Sequence, residues 1–504
     1  MATTDRVEFL RLSYLINIKS GEWLDPAQNV DLFANSRCIG RSATIKVRTR
    51  DNHERYAVVI IGGSHESYAR QSCQPIVVDI MYLGNILPWV LLPLAVIADA
   101  TTGQSHRRTC VVKAGGSESV DDTPAILNAF RRCGKEGRIV FQNTTYHVNS
   151  VMNTSGLHNC DIDLYGTLLW GTNISYWLSN SLDVGYQNQS TAWVMGGKNI
   201  RFNGHGYGTL NGNGQVWYDF VKSVSNYPRR PHALTVARAS NSVFQGLRFL
   251  QSQMWTLSVI HSDHILFDSI YVNSTTTNGN SAHNTDGADT IYSSHITFNN
   301  WTVVNGDDSI STKANSTDIL ITNSVFYRGL GIAIGSIGQY KDVFETIERV
   351  RAENITYYGT LHSLYFKTWT GEQVNYPPNG GGGGLGYASD ISASNLHAYN
   401  LRGAPFTISQ CTTFARAPSN CTSSKFQIRD LRIEDVTGSS TTDVVASFQC
   451  SAVKPCTEIQ IQNVNLQLAN GTMADEYLCG NVEGTRGFNC TGKACEKPSA
   501  TGGC

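Results

Sequence analysis

The sequence predicts an all-β solenoid, a single-stranded right-handed parallel β-helix with a short N-terminal capping helix. Three observations point there. Short segments in which apolar and polar residues alternate recur from residue 242 to residue 468, the pattern of half-buried strands. Their starts lie 22 to 42 residues apart, too irregular for propeller blades but right for solenoid coils carrying loops of different length. The composition, with 46 glycines, 6 methionines and abundant Asn, Ser and Thr, favours strands and frequent turns over helices.

Taken in chain order, "VDDTPAILNAFRRCG" at 120–134 reads as one clear amphipathic helix. Asp121 or Asp122 is its N-cap, and Pro124 sits in its first turn. It would cover the open N-terminal end of the solenoid and hide an aggregation-prone edge. The coil strands follow: "SVFQGLRFLQ" at 242, "HILFDSIYV" at 264, "HITFNNWTVV" at 295, "DILITNSVFY" at 318, "ERVRAENITYY" at 348, "DISASNLHAYN" at 390, "FQIRDLRIEDV" at 426 and "EIQIQNVNLQL" at 458. A chain of 504 residues with 41% apolar and 16% charged residues can bury a large core. Its net charge of -1 gives no global field, which argues against nucleic-acid or membrane-surface partners.

Three features address the compartment. Residues 81–100, "MYLGNILPWVLLPLAVIADA", have the shape of a signal peptide: a short apolar run ending in Ala98-Asp99-Ala100. With Met81 as the start, residues 1–80 become an upstream extension outside the fold, and residues 101–504 form the β-helix domain with a disulfide-rich C-terminal end. The chain holds thirteen cysteines, eleven of them after Ala100 and none with zinc-ligand spacing, so disulfides are expected, with one thiol left over. Sequons begin at Asn143, Asn153, Asn173, Asn188, Asn273, Asn300, Asn315, Asn354, Asn420, Asn470 and Asn489, a density that fits a secreted glycoprotein.

The chemistry concentrates in two motifs. "NTDG" at 284–287 lies one short coil before "GDD" at 306–308, so stacking about 4.8 Å apart brings Asp286 beside Asp307 and Asp308. Adjacent strand residues face opposite ways, so both aspartates can reach one cleft only if Gly306 bends the chain at the coil's edge. Three clustered carboxylates suit Ca²⁺ binding or general acid–base cleavage of a glycosidic bond. "NTDGADT" spaces oxygen side chains around a glycine as calcium loops do, but lacks the full EF-hand pattern. No phosphate-binding loop or nucleophile elbow is present.

These motifs, with "GTLNGNGQVWYD" at 208–219, "SQMWTLSV" at 252–259, "GLGIAIGSIG" at 329–338 and "FKTWTG" at 366–371, occur in the order that resembles the polygalacturonase family, glycoside hydrolase family 28. The resemblance covers most of residues 110–480. It implies an inverting β-helix hydrolase acting on plant cell-wall pectin as a secreted monomer without a cofactor. Asp307 would be the proton donor and Asp286 and Asp308 would activate the water. Lys367 resembles the lysine that binds a sugar carboxylate, Asn284 of the first motif would face substrate, and Lys313 is a further candidate cation.

Departures from the family pattern matter as much. Leu330 stands where the family has a histidine, and leucine neither donates nor accepts a hydrogen bond. Tyr365-Phe366-Lys367 replaces Arg-Ile-Lys, which removes a bidentate partner for a carboxylate and offers an aromatic face to a less charged sugar. The run at 379–386, "NGGGGGLG", reads as a flexible linker or a tight loop beside the cleft rather than a phosphate loop. With "GIAIGSIGQY" and "KTWTGEQV" it is similar to the fungal exo-acting branch, the galacturan 1,4-α-galacturonidases and exo-rhamnogalacturonan hydrolases. The expected reaction is removal of a terminal sugar from the non-reducing end of a galacturonan-type chain. Family resemblance places galacturonate first, and the missing arginine points to rhamnose. A Ca²⁺-dependent pectate lyase and a non-catalytic pectin-binding solenoid are the readings from other classes.

Overall fold

The computed structural model describes residues 107–494 apart from residue 223 and the segments 375–379 and 414–419, together with five strands nearer the N-terminus. The proposed leader at 81–100, Cys495 and Cys504 lie outside the described residues. The chain forms two units, Met1–Thr102 and Gly103–Cys504. In the first, Leu15–Ile16 pairs antiparallel with Trp23–Leu24, and Ser42–Arg48 lies antiparallel to Arg37–Ile39 and Glu54–Ile60.

The second unit is a parallel β-helix. Strands two or three apart in the chain pair in parallel within one 28-stranded sheet. The core grows as ladders, because each coil lays the same residue type over the last. Ile265, Ile296, Ile319, Val350, Ile391, Leu431 and Ile459 are in register and all are buried. Phe244, Phe267 and Phe298 stack at 5.0 and 5.5 Å. At one corner, Asn395, Asn354 and Asn323 each donate a side-chain hydrogen bond to the asparagine of the coil before, at 2.8–3.1 Å. Such a ladder satisfies polar groups that the turns would otherwise strand.

Six successive strands make the face that carries the site: β1 (Leu257–Ile260), β2 (Ala288–Ile291), β3 (Asp308–Thr312), β4 (Gly331–Ile337), β5 (Leu364–Trp369) and β6 (Phe406–Thr412). Val259, Ile334, Phe366 and Ile408 join the hydrophobic core. Alternation then puts Ser258, Asp289, Ser311, Ala333, Tyr365 and Thr407, mutually in register, on the opposite face.

Helix α1 (Thr123–Cys133) forms where expected, with Pro124 in its first turn. The capping bond comes from Asp121, whose Oδ1 accepts from Thr123 N at 3.0 Å, while Asp122 accepts from the backbone of Gly115 and His147. Two shorter helices, α2 (Ile174–Asn180) and α3 (Gly214–Val221), interrupt the early coils. Neither is long enough to announce itself by periodicity. Disulfides join Cys110 to Cys133, Cys411 to Cys421, Cys450 to Cys456 and Cys479 to Cys490. Cys160 is a buried free thiol, its pKa pushed up to about 12 by burial.

The glycine run does form a tight loop. The amides of Gly381 and Gly382 both bond to Gln339 O at 2.9 Å, and Gly384 N to Gly338 O at 3.0 Å. Gly382 has φ +104°, and a Cβ at Gly384 would fall 2.6 Å from Gly338 backbone atoms. Side chains are excluded there by backbone contact. Among the described residues, no helix is long and apolar enough to cross a membrane.

Candidate active site

Asp286 lies just before β2, and its carbonyl accepts from Thr256 N at 2.8 Å; Gly287 N donates to Asp308 O at 2.9 Å. Successive coils thus bring the two motifs side by side, and one oxygen from each of Asp286, Asp307 and Asp308 lies within 4.8 Å of the others. The chain bends at Gly306 and Asp307, at the edge of the coil as expected. Gly306 has no left-handed φ; a Cβ there would meet Ala282 O at 2.6 Å, so it serves close approach. After the bend, the register against β4 is irregular between Asp308 and Ile310, a bulge of the kind that redirects neighbouring side chains.

Each carboxylate has its own setting. Asp307 is half-buried. Its Oδ2 accepts from Asn284 N at 2.9 Å and Nδ2 at 3.5 Å, and its Oδ1 from Asp308 N at 3.0 Å. Asp308 is fully buried; Tyr365 Oη donates to one oxygen and Lys367 Nζ to the other at 2.7 Å. Asp286 is buried, and its Oδ1 has no partner among the described residues.

Burial, then the charges of Asp307, Asp289 and Asp308, raises the Asp286 pKa well above the usual range. Burial and the neighbouring Asp308 raise Asp307 too, against the pull of Lys367. Burial works against the Lys367 ammonium, but the three aspartates outweigh it and raise its pKa. Burial and mutual repulsion thus favour retention of a proton at Asp286 and Asp307.

The other expected residues fall differently. Asn284 is present at the site but faces Asp307, and its Oδ1 accepts from Asn226 N at 2.7 Å and Ser225 Oγ at 3.2 Å. Tyr365 is fully buried with its ring against His362, so it offers no aromatic face to a sugar; its hydroxyl is used on Asp308. Lys313 is 3% exposed and does not reach substrate. It lies beneath the site, 3.3 Å from Asp289, bonded to Ser311 Oγ and Gly335 O, with its ammonium over the Trp255 ring. Lys367 alone of the candidate cations keeps some exposure, 16% at the side chain.

Four buried groups near the carboxylates were not singled out from the sequence. Asp289, pushed up to about 7 by burial against the opposing pull of Lys313, stood in view in "NTDGADT". Arg230 bonds Gln253 O and His283 O, and burial lowers its pKa to about 10. His232 stacks on Trp255 and is held neutral by burial, at about 3. His362, from the coil after Leu330, bonds Ala404 O through Nδ1 at 2.6 Å and is lowered by burial to about 4. Nothing periodic marks these last three.

A wall rises in the coils before the carboxylates. Gln215 of α3 accepts from Thr277, and Asp219 accepts from Asn278 and Asn280 at 2.7 Å. The segment after α3 crosses to Asn284 and His283. A divalent cation fits the carboxylates less well than a proton-transfer role, since both Asp308 oxygens are engaged and an ammonium stands among them. Ca²⁺ asks for six to eight oxygens.

Comparison with known proteins agrees with this chemistry. The family model of glycosyl hydrolases family 28 matches residues 145–495. The chain is 64% identical to the α-L-rhamnosidase rgxB of Aspergillus niger, over 82% of this chain and 97% of that protein. It is 32% identical to an exopolygalacturonase of Cochliobolus carbonum, over 77% of this chain and 87% of that one. The crystal structure of the endo-xylogalacturonan hydrolase of Aspergillus tubingensis superposes with a TM-score of 0.66 at 26% identity, covering 77% of this chain and 99% of that one. With this family match and this identity on a parallel β-helix, the chain belongs to family 28 of the glycosyl hydrolases.

Proposed function

We propose that this enzyme is a secreted, exo-acting pectin hydrolase that removes terminal α-L-rhamnose from the non-reducing end of rhamnogalacturonan chains. The observation that carries the choice of sugar is the direction of Tyr365 and Lys367. The resemblance has Lys367 grip a sugar carboxylate, but both side chains are bonded to Asp308. The 64% identity to an α-L-rhamnosidase supports the same choice. Terminal galacturonate is the second reading, favoured by the exopolygalacturonase relative. Exo action is supported by the exopolygalacturonase relative and by the tie of α3 to residues 277–280 in the coils before the carboxylates.

In the proposed mechanism Asp307, half-exposed and with a raised pKa, donates its proton to the leaving glycosidic oxygen. Asp308, held by two donors, and Asp286 bind the attacking water and accept its proton. One oxygen of each lies within 4.8 Å, closer than the roughly 6.5–9.5 Å of most inverting pairs. Two carboxylates sharing one water supply the base without a wide gap, so the first product should carry the inverted anomeric configuration. Proton NMR of the initial product checks this; retention would contradict it. Asp307→Asn should lower kcat at least about 10³-fold while oligomer binding survives. A product absorbing in the ultraviolet would mean elimination, and unchanged biological binding with no released sugar in the unmutated enzyme would mean a binding solenoid.

A further inference from the structure

A second polar cavity lies at the far end of the site-bearing strands. Tyr292 directly follows β2 and Tyr340 follows β4, so the cavity is six residues from Asp286, roughly 20 Å at 3.3 Å per residue. Its volume is about 390 Å³, the size of a one- to two-sugar pocket. Tyr186, Tyr292 and Tyr340 supply the apolar walls, and Asp183, Gln187 and Gln189 a hydrogen-bonding rim. No lysine, arginine or histidine lines it, and its one charged group, Asp183, is acidic.

The walls are fixed before any ligand arrives. Tyr186 accepts a hydrogen bond from Gln339 Nε2 at 2.6 Å and meets Tyr292 edge-on at 5.9 Å. The other side of Tyr292 stacks on His261 at 5.0 Å. The rim is a two-residue turn closed by Gln189 N to Tyr186 O at 2.9 Å, with Gln187 and Asn188 at φ of 50° and 55°. Rigid aromatic faces beside neutral amides suit a ligand with one apolar face and several hydroxyls. Asp183 is paired with Arg229, so among the described residues no free cation is left at the rim to hold an acidic sugar.

We propose that this cavity binds a neutral pyranose ring, packed against Tyr340 and Tyr292 and hydrogen-bonded to the rim amides. Two sources share that chemistry. One is a neutral sugar of the polysaccharide held away from the cleaved bond. The other is the first sugar of a glycan on Asn188, which is exposed, lines the cavity and begins a sequon. The inference is independent of which terminal sugar the enzyme releases.

Saturation-transfer NMR with methyl β-D-galactopyranoside and methyl β-D-galactopyranosiduronic acid tests it, on Asn188→Gln protein so that no glycan competes. The neutral glycoside should bind. Tyr292→Ala should weaken it at least tenfold, Tyr292→Phe should retain it, and the charged glycoside should show no Tyr292-dependent binding. The native glycoprotein separates the sources. If it binds the neutral glycoside only after enzymatic deglycosylation, the Asn188 glycan is the resident sugar; if it binds beforehand, the polysaccharide supplies it. Absence of Tyr292-dependent binding of the neutral glycoside to well-folded Asn188→Gln protein would overturn the proposal.

Discussion

Asp308 takes one hydrogen bond from Tyr365 and one from Lys367 at 2.7 Å, which makes Lys367 a handle on the whole carboxyl group. Its ammonium pulls down a proton affinity that burial and Asp308 raise at Asp307. The acid works only while protonated, so activity falls as pH rises through its pKa. Lys367→Met should raise that pKa further and move the alkaline limb of kcat/KM to higher pH, with kcat lowered about 10²-fold. An unmoved limb in the pH–rate profile would contradict this. Glu345 gives a second residue-scale prediction. It is 1% exposed, and burial pushes its pKa from 4.5 to about 7. The folded state keeps this proton while the unfolded chain loses it, so stability is full below about pH 4.5 and declines as pH rises to about 7, by about 3 kcal/mol. Glu345→Gln should flatten the fall of Tm over that window. At this scale, the clustering of Asp286, Asp307 and Asp308 was legible in the sequence because their motifs are local. It misdirected Tyr365 and Lys313, whose partners Asp308 and Asp289 lie 57 and 24 residues away and depend on register that no local pattern records.

Strands were the legible elements, since a period of two over a buried face survives any loop length. The eight alternating segments all fall in coil strands, and α1 forms within one or two residues of its expected span. Helices α2 and α3, at 7 and 8 residues, were not, because two turns carry too few positions to show a 3.6-residue period. The bend at Gly306 was legible in "GDD", but the bulge after Asp308 was hidden because it shows only in the pairing with β4. At the N-terminal end, Cys110–Cys133 pins α1 to the first coil strand across 23 residues. Opening it with Cys110→Ser and Cys133→Ser together should cost about 3 kcal/mol of stability by chain entropy, read as a lower midpoint in denaturant. No change would mean that α1 is held by packing of Ile126 and Phe130 alone.

For the whole molecule, the solenoid turns separate motifs into one surface: three carboxyls from two coils, a wall from the coils before them and a lysine from a coil after them. Secretion and glycosylation belong at this scale as proposals. Mass spectrometry of protein recovered from culture medium should find an N-terminus just after Ala100 and glycans on exposed sequons; an N-terminus at Met1 would contradict the leader at 81–100. The exo reading and the choice of sugar stand or fall together in one assay. The purified enzyme is incubated separately with rhamnose-terminated rhamnogalacturonan oligomers and with oligogalacturonate, and the first product of each is identified. Stepwise release of free L-rhamnose from the first, with little or nothing from the second, is the expected result. Galacturonate released as the first product, or internal fragments from either chain, would contradict it.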